Sequence, residues 1–529
     1  MDQIQTISAI RGRKMLDWAD HIVSVAYRRY GLEVFVFLIV LFFSFFWSFA
    51  YKFPMGYSGL YSLMAEKIAQ NGFIPPQSIE FYGPGKIPFA YPPLAFYINA
   101  FVVTFFGVEQ FTFLRFFAPS ISILTFFACY LLFRQITSSR LAASIAILLF
   151  LTTPDYLNLH VKSDGMVRGL ALLFSILGIY FYYAYLSHKS FSFKSILLAG
   201  LFLGLSFLSH LSYGVFCVFS IFVLAFWKVQ NLKELKQRAR DFVLIMVIAL
   251  LVSAPWWLLV LRRFGLAPFI SALNSHATIP GVISASIVPS LIAAKITLMD
   301  KFLLYPLFYM VALPYWLLKR DWHKAIWGLS TGIFLGESAR FMALFSAIAI
   351  AELCVDLLRH ASHPQGSTDK RIFVSAAAVF LALFFVLIGR FDNLKSDKPF
   401  LTDEVLKVAA WMNDNTDPNA KYLFISDNMN GTNEWMPYLA RRTPVLGHWG
   451  AEWVGDYYWK HELMSKAAWC AKKDSWECIQ RVVEKYASRP GYIIFFRSEF
   501  EHMESEINAL AYWQIAFQDD QMIIYKDLR

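Results

Sequence analysis

Until about residue 390 the chain is a succession of apolar runs with almost no charge between their ends. The strongest windows cover residues 32–51, 113–133, 141–153, 167–186, 196–208 and 213–226. Others follow at 242–261, 302–318, 325–335, 341–358 and 372–388. Many approach the roughly 18 apolar residues that cross a hydrocarbon core of about 30 Å as a helix. Helices are expected because backbone groups in lipid must pair within their own segment. The pattern predicts an α-helical polytopic membrane bundle of about eleven spans, with short windows near 141, 196 and 325.

After residue 391 the pattern changes. It predicts helices over 403–415, 433–442 and 461–486, and strands over 422–426, 443–446, 492–496 and 522–526. Alternating strands and helices indicate a soluble C-terminal α/β domain. The expected division is 1–394 for the bundle and 395–529 for this domain. Composition agrees, with 57% hydrophobic and 16% charged residues and a mean hydropathy of +0.47. A soluble chain averages about 25% charged residues, so one soluble core is excluded.

Charge adds a direction. Residues 1–30 carry Arg11, Arg13, Lys14, Arg28 and Arg29, and read as a cytoplasmic interfacial helix rather than a cleaved leader. Basic residues recur in the loops expected inside, among them Arg134, Arg140, Lys194, Arg238, Lys319 and Arg359. An odd number of spans then sends the C-terminal domain out of the cytoplasm. The expected setting is the plasma (inner) membrane. This topology makes 53–112 one long outer loop and 90–106 a juxtamembrane or re-entrant helix. Counting 90–106 as a span would reverse every later loop.

Basic residues on the outer face need a different explanation. They are Lys86, Lys162, Arg168, Arg262, Arg263, Lys301 and Arg340. As a set they suit an anion at the outer leaflet, such as a lipid-linked phosphate. Singly, each is also explained by snorkelling or by ion pairs such as Arg340 with Glu337. Acids on that face are Glu66, Glu80, Asp155, Asp164, Asp300 and Glu337. Asp164 lies four residues before Arg168 in HVKSDGMVRGL, which puts both on one helix face. An acid there can take a proton from an acceptor while the Arg holds a leaving phosphate. The same spacing equally serves a helix cap and a salt bridge.

His210 and His276 lie at outer turns, where each is either a satisfied interface residue or a phosphate donor. Tyr82, Tyr91, Trp256 and Trp257 are candidates to line a sugar pocket. No glycine-rich nucleotide fingerprint or metal-spaced Cys/His set is present. No cofactor is therefore assigned, metal dependence stays open, and nucleic acid is not an expected partner. Cys470 and Cys478 can pair only if the helix between them breaks near 473–475.

The order of these features resembles the GT-C superfamily of membrane glycosyltransferases, in the branch of protein O-mannosyltransferases and aminoarabinose transferases. The resemblance rests on YSLMAEKIAQNGFIPP (61–76), FAYPPLAFYINAFVVTFFG (89–107) and FLRFFAPSISILTFFACYLLFRQ (113–135). APWWLLVLRRFGLAPF (254–269) and GESARFMALFSAIAIAEL (336–353) extend it over nearly the whole chain. It implies a polyprenyl-phosphate-linked sugar as donor, transfer to an extracytoplasmic acceptor, membrane lipids as partners, and an acid in each of the first two outer loops. Asp164 matches the second acid. The first falls on Tyr57 and Ser58, and the family's Glu-Lys before the juxtamembrane proline falls on Ala90 and Tyr91. Either Glu66, Glu80 and Lys86 stand in from nearby, or catalysis is altered or absent. The candidate catalytic residues are thus Asp164, Glu66 and Glu80. The candidate phosphate or substrate contacts are Lys86, Tyr91, Arg168, His210, Arg262 and Arg340. The alternative function is a non-catalytic protein that binds or translocates a lipid-linked glycan.

Overall fold

A computed structural model describes residues 30–83, 85–187, 193–227, 229–275, 304–335, 339–361, 394–395, 397–426, 429–485 and 488–529. Most of the N-terminal interfacial helix, the window at 372–388, and His276, Asp300, Lys301 and Glu337 lie outside these residues.

Among the described residues, five helices are long and apolar enough to cross a membrane. They are α1 (Tyr30–Ala50), α4 (Gln110–Thr137), α7 (Gly165–Ser187), α10 (Leu232–Phe264) and Arg340–Arg359 within α14 (Ala339–Ala361). The pair α5 (Arg140–Leu151) and α6 (Pro154–Val161) is apolar enough only when taken together, and is bent by 60°. The bend has a local cause. Pro154 cannot donate to the preceding turn, and the Thr153 hydroxyl accepts from the Tyr156 amide instead (3.1 Å). The windows at 196–208 and 213–226 are the shorter α8 (Phe193–Ser209) and α9 (Leu211–Phe226), parted at His210. The window at 302–318 becomes α12 (Phe308–Leu318), and α13 (Trp322–Phe334) follows it. The fold is thus a multi-pass helical bundle. Apolar windows mark its helices, but several are too short to cross by length alone.

Small residues set the closest approaches. A Cβ on Gly200 would meet Ile248 at 2.7 Å, and one on Gly204 would meet Val252 at 2.6 Å, so α8 packs directly on α10. A Cβ on Gly165 would lie 2.4 Å from the His160 carbonyl carbon. The start of α7 therefore presses against the π-helical turn of α6.

The loop between α1 and α4 is ordered as α2 (Gly59–Gln70), a hairpin of β1 (Ser78–Glu80) and β2 (Lys86–Pro88), and α3 (Leu94–Phe106). The 13-residue α3 falls within the stretch 90–106 expected to be helical. It starts only after Pro92 and Pro93, because a residue preceding proline resists the helical region. After α10 comes α11 (Ala267–Ser275).

The C-terminal segment contains α15 (Asp403–Asn415), β3 (Lys421–Ile425), α16 (Met429–Ala440), β4 (Thr443–Pro444), α17 (Tyr457–Ala471) and α18 (Trp476–Glu484). It ends with β5 (Tyr492–Phe496), α19 (Glu501–Asn508), β6 (Trp513–Gln518) and β7 (Met522–Asp527). The strands form one sheet in the order β4-β3-β5-β7-β6. β3 pairs in parallel with β4 and β5, and β7 runs antiparallel to β5 and β6. The central strands are apolar on both faces because helices cover both. Leu423, Ile493 and Ile523 pack with Met464, Ile479 and Met503 on one side. Phe424, Ile494 and Ile524 pack with Val405, Met412 and Trp435 on the other. The C-terminal segment first meets the bundle near the end of α1. Trp47 Nε1 donates to the Leu394 carbonyl (3.0 Å), Tyr51 to the Asp397 carbonyl (2.7 Å), and Lys162 pairs with Asp397 (3.2 Å).

The single helix expected over 461–486 is instead two. It breaks after Ala471, with Asp474 in the left-handed region (φ 49°) and Ser475 capping α18. The break brings the Cα atoms of Cys470 and Cys478 to 5.5 Å, and the cysteines form a disulfide. Closing so short a loop restricts the unfolded chain by about 2–3 kcal/mol. Replacing Cys478 by Ser should therefore raise hydrogen exchange across α17 and α18 by ten-fold or more while leaving β5 and β7 unchanged. Equal exchange in both proteins would show that the helical hairpin holds without the bond.

Candidate active site

The site lies where α7 begins, and the backbone around it explains why. Ser163 donates from its amide (2.8 Å) and its hydroxyl (2.6 Å) to the Met55 carbonyl, tying the start of α7 to the loop between α1 and α4. The Ser58 hydroxyl donates to the Ser163 Oγ (2.9 Å). Between these anchors Gly56 has φ +86°, and a Cβ there would meet Asp164 Oδ1 at 2.5 Å. The glycine is needed twice, for the left-handed backbone and for the space. Asp164 is thereby walled in at 6% exposure. Its Oδ2 accepts from Arg168 Nη1 at 2.8 Å, the (i, i+4) pair that the spacing predicts. Burial raises its pKa above the ordinary aspartate value, against the opposing charges of Arg168 and Lys162.

Aromatic rings close the other sides. Tyr57 sits between Phe400 (4.9 Å between centroids) and Trp449 (4.7 Å). Burial, then the charges of Asp164 and Glu434, push its phenol up to about 12. It stays protonated and remains a donor at any physiological pH. Tyr61 is raised by burial too, and lies within electrostatic reach of Arg168, Asp164, Glu452 and Glu434. Its ring faces Tyr91 at 6.4 Å, and Tyr91 packs on Trp453 at 4.8 Å.

A cationic cluster adjoins this wall. Arg340, in the first turn of α14, lies over the Tyr213 ring at 5.7 Å. Tyr213 Oη is 2.7 Å from His160 Nε2, and the His210 ring is 5.4 Å from the Tyr213 ring. Arg168 and Arg340 both lie within electrostatic reach of His160. Both guanidinium groups thus act on His160, four residues before Asp164. Such a pair suits an oxyanion, because each offers planar forked donors.

The structure therefore pairs Asp164 with Arg168, sets Tyr91 near Tyr61, and gathers His210 and Arg340 around Tyr213. The other candidates are engaged elsewhere. Glu66 pairs with Arg441 (2.5 Å) and accepts from Gln70 (2.9 Å). Glu80 pairs with Lys67 (3.7 Å) and lies opposite Lys86 in the hairpin register. Lys86 and Arg262 are exposed. Arg263 is held by the Pro75 and Pro76 carbonyls, both at 2.9 Å. Among the described residues no group of three or more His, Cys, Asp or Glu side chains is placed to hold a metal ion.

Two carboxylates at the site come from the C-terminal segment and escaped the sequence reading. Glu434 is 2% exposed. It accepts from the amides of Gly59 (2.9 Å) and Leu60 (2.8 Å), and burial pushes its pKa up to about 7. Glu452, beside Trp453, is pushed up to about 7 by burial as well. Their signal was faint but present, since both lie in Glu-Trp dipeptides of a segment otherwise read as soluble, NEWM and AEWV.

The model of the dolichyl-phosphate-mannose-protein mannosyltransferase family matches residues 90–259. No curated protein matches the chain. An oligosaccharyltransferase of Archaeoglobus fulgidus, solved with a tethered acceptor peptide, is similar in structure. Its TM-score is 0.58 at 14% identity, over 89% of this chain and 70% of that one. ArnT of Cupriavidus metallidurans bound to undecaprenyl phosphate is similar with a TM-score of 0.53 at 12% identity, over 94% of this chain and 98% of that one. At such identities the likeness is one of fold.

Replacing Gly56 by Ala tests the wall directly. The positive φ and the encroachment on Asp164 should together destabilise the protein by about 1–3 kcal/mol. Thermal unfolding in detergent measures it, and an unchanged midpoint would show that the loop yields without strain. In its path through the bundle and its ordered loop between α1 and α4, the chain has the GT-C fold of membrane glycosyltransferases.

Proposed function

We propose that the protein is a GT-C-type glycosyltransferase that moves a sugar from a polyprenyl-phosphate carrier to an extracytoplasmic acceptor. The observation that carries this reading is the buried Asp164 paired with Arg168 beside a wall of tyrosines, with Arg340 acting on the same His160 as Arg168. In this reading the bundle is 1–394, the C-terminal domain is 395–529, and that domain faces away from the cytoplasm. ArnT of similar fold binds undecaprenyl phosphate, which supports the class of donor.

Asp164 takes the proton of an acceptor hydroxyl or amine as that atom attacks the anomeric carbon of the donor. The bond between the anomeric carbon and the phosphate oxygen breaks, and the polyprenyl phosphate leaves with the electron pair. Arg168 and Arg340 stabilise the charge that develops on the leaving phosphate. Tyr61 and Tyr91 offer flat faces to a sugar ring, with Tyr57 as a neutral donor at their edge. Glu66, Glu80, Lys86 and Arg262 lie outside this step.

The sign of the pH dependence follows from Asp164. Only its carboxylate accepts a proton, so turnover should fall as pH drops through its pKa. Because burial raises that pKa, the acid limb should lie above the ordinary aspartate value of about 3.9. Mass spectrometry of lipids extracted from the purified protein identifies the donor by its carrier and sugar. With that donor, Asp164→Asn should cut kcat by about 10²–10⁴, and the acid limb should disappear. Unchanged turnover in the folded variant would remove Asp164 from the mechanism. A bound carrier with no transfer by the wild type would favour the non-catalytic reading.

A further inference from the structure

Residues 55–60 are held from two sides. On one side they meet Ser163 and Asp164, as described above. On the other they meet the start of α16. Glu434 receives the amides of Gly59 and Leu60, and Trp435 Nε1 donates to the Gly56 carbonyl at 2.9 Å. The Tyr82 hydroxyl donates to the Glu434 carbonyl at 2.7 Å, fixing the same turn to the hairpin. Contact is close enough that a Cβ on Gly59 would lie 2.5 Å from the Glu434 carbonyl oxygen.

The N-terminus of α2 needs this partner. Its N-cap is Ser58, whose side chain makes no capping bond to the helix, and its first turn has no acidic residue. The Ser58 hydroxyl is committed to Ser163 Oγ and to the Tyr57 carbonyl (2.6 Å). The amide donors of the first turn are buried, so an acceptor must reach them from elsewhere. Glu434 supplies it across more than 370 residues of chain (|i−j| = 375 to Gly59). Its charge lies near enough to Asp164 for the two carboxylates to repel. The clasp is therefore part of the surroundings of the reacting group.

We propose that Glu434 is a positioning residue of the active site. From the C-terminal segment it holds Gly56 and Tyr57 against Asp164, so that the site is complete only while that segment is docked. This rests on the reading of Asp164 as the proton acceptor, and its test has one arm that does not depend on that reading.

The test uses the full-length protein in nanodiscs, as wild type and as Glu434→Gln. The amide nitrogen of Gln turns a donor toward one of two backbone donors, so one bond must fail. Hydrogen exchange is followed in peptides covering 55–66, with β5 and β7 as controls. Exchange at 56–62 should rise at least ten-fold in the variant with the control strands unchanged. If Glu434→Gln does not fold, Trp435→Phe serves in its place, removing only the donor to Gly56. Turnover is then measured with the lipid-linked donor identified from the wild type. Glu434→Gln should lower kcat at least ten-fold with KM within two-fold. The double variant with Asp164→Asn should be no slower than Asp164→Asn alone, because both act on one group. Two multiplicative losses would mean that Glu434 acts independently of Asp164, and would overturn the proposal. Unchanged exchange at 56–62 would overturn it as well. A wild type that transfers no sugar would end the transferase reading, while the exchange result would still decide whether the clasp exists.

Discussion

Everything around Asp164 depends on six residues of backbone, 55–60, which make too few bonds of their own. This segment turns through a left-handed glycine and then starts a helix whose own N-cap leaves the first amides without a side-chain acceptor. In a buried place that is an expensive defect, because an unpaired amide costs about 1–3 kcal/mol. The defect is resolved by two partners, Ser163 from the bundle and Glu434 from the C-terminal segment. Between them they fix the wall against which the Asp164 carboxylate rests.

The electrostatics follow from the same arrangement. Asp164, Glu434 and Glu452 all act on Tyr61, and Arg168 opposes them. Three carboxylates around one buried phenol would be costly if each were left without partners. Glu434 is satisfied by backbone amides and Asp164 by Arg168. Lys162 is drawn to Asp397 at 3.2 Å, so the residue range that begins the C-terminal segment also meets the site's charges. Arg168 and Arg340 both act on His160.

How much of this was legible in the sequence depends on distance along the chain. The helices were legible, because hydropathy is local and each window found its helix wherever residues are described. Helix α3 was legible as a helix near Pro92 and Pro93. The Asp164–Arg168 pair was legible because helical periodicity alone places (i, i+4) side chains together. The role of Glu66 was not. Its pairing with Arg441 requires α2 and α16 to meet, and nothing within either segment states that they do. The break that makes α17 and α18 two helices was legible only as a condition of the Cys470–Cys478 bond. Glu434 lay further out of reach, since its charge says nothing of amides 375 positions away.

That separation bears on how the site comes into being. The resemblance expects an acid just ahead of α2, where this chain has Tyr57 and Ser58; a carboxylate does reach that helix end, carried by α16. An acid placed in the loop itself would cap α2 as soon as the loop formed. Here the cap is among the last parts of the chain to be made. The entropy of closing such a loop rises only slowly with length, so the distance is tolerable in the finished fold. Until the segment around β3 and α16 has folded and docked, the amides of Gly59 and Leu60 lack their acceptor and Gly56 lacks the Trp435 donor. The wall beside Asp164 is then free to open. A bundle whose site wall is closed by α16 cannot be treated apart from the C-terminal segment, because Glu434 and Trp435 reach into the wall itself.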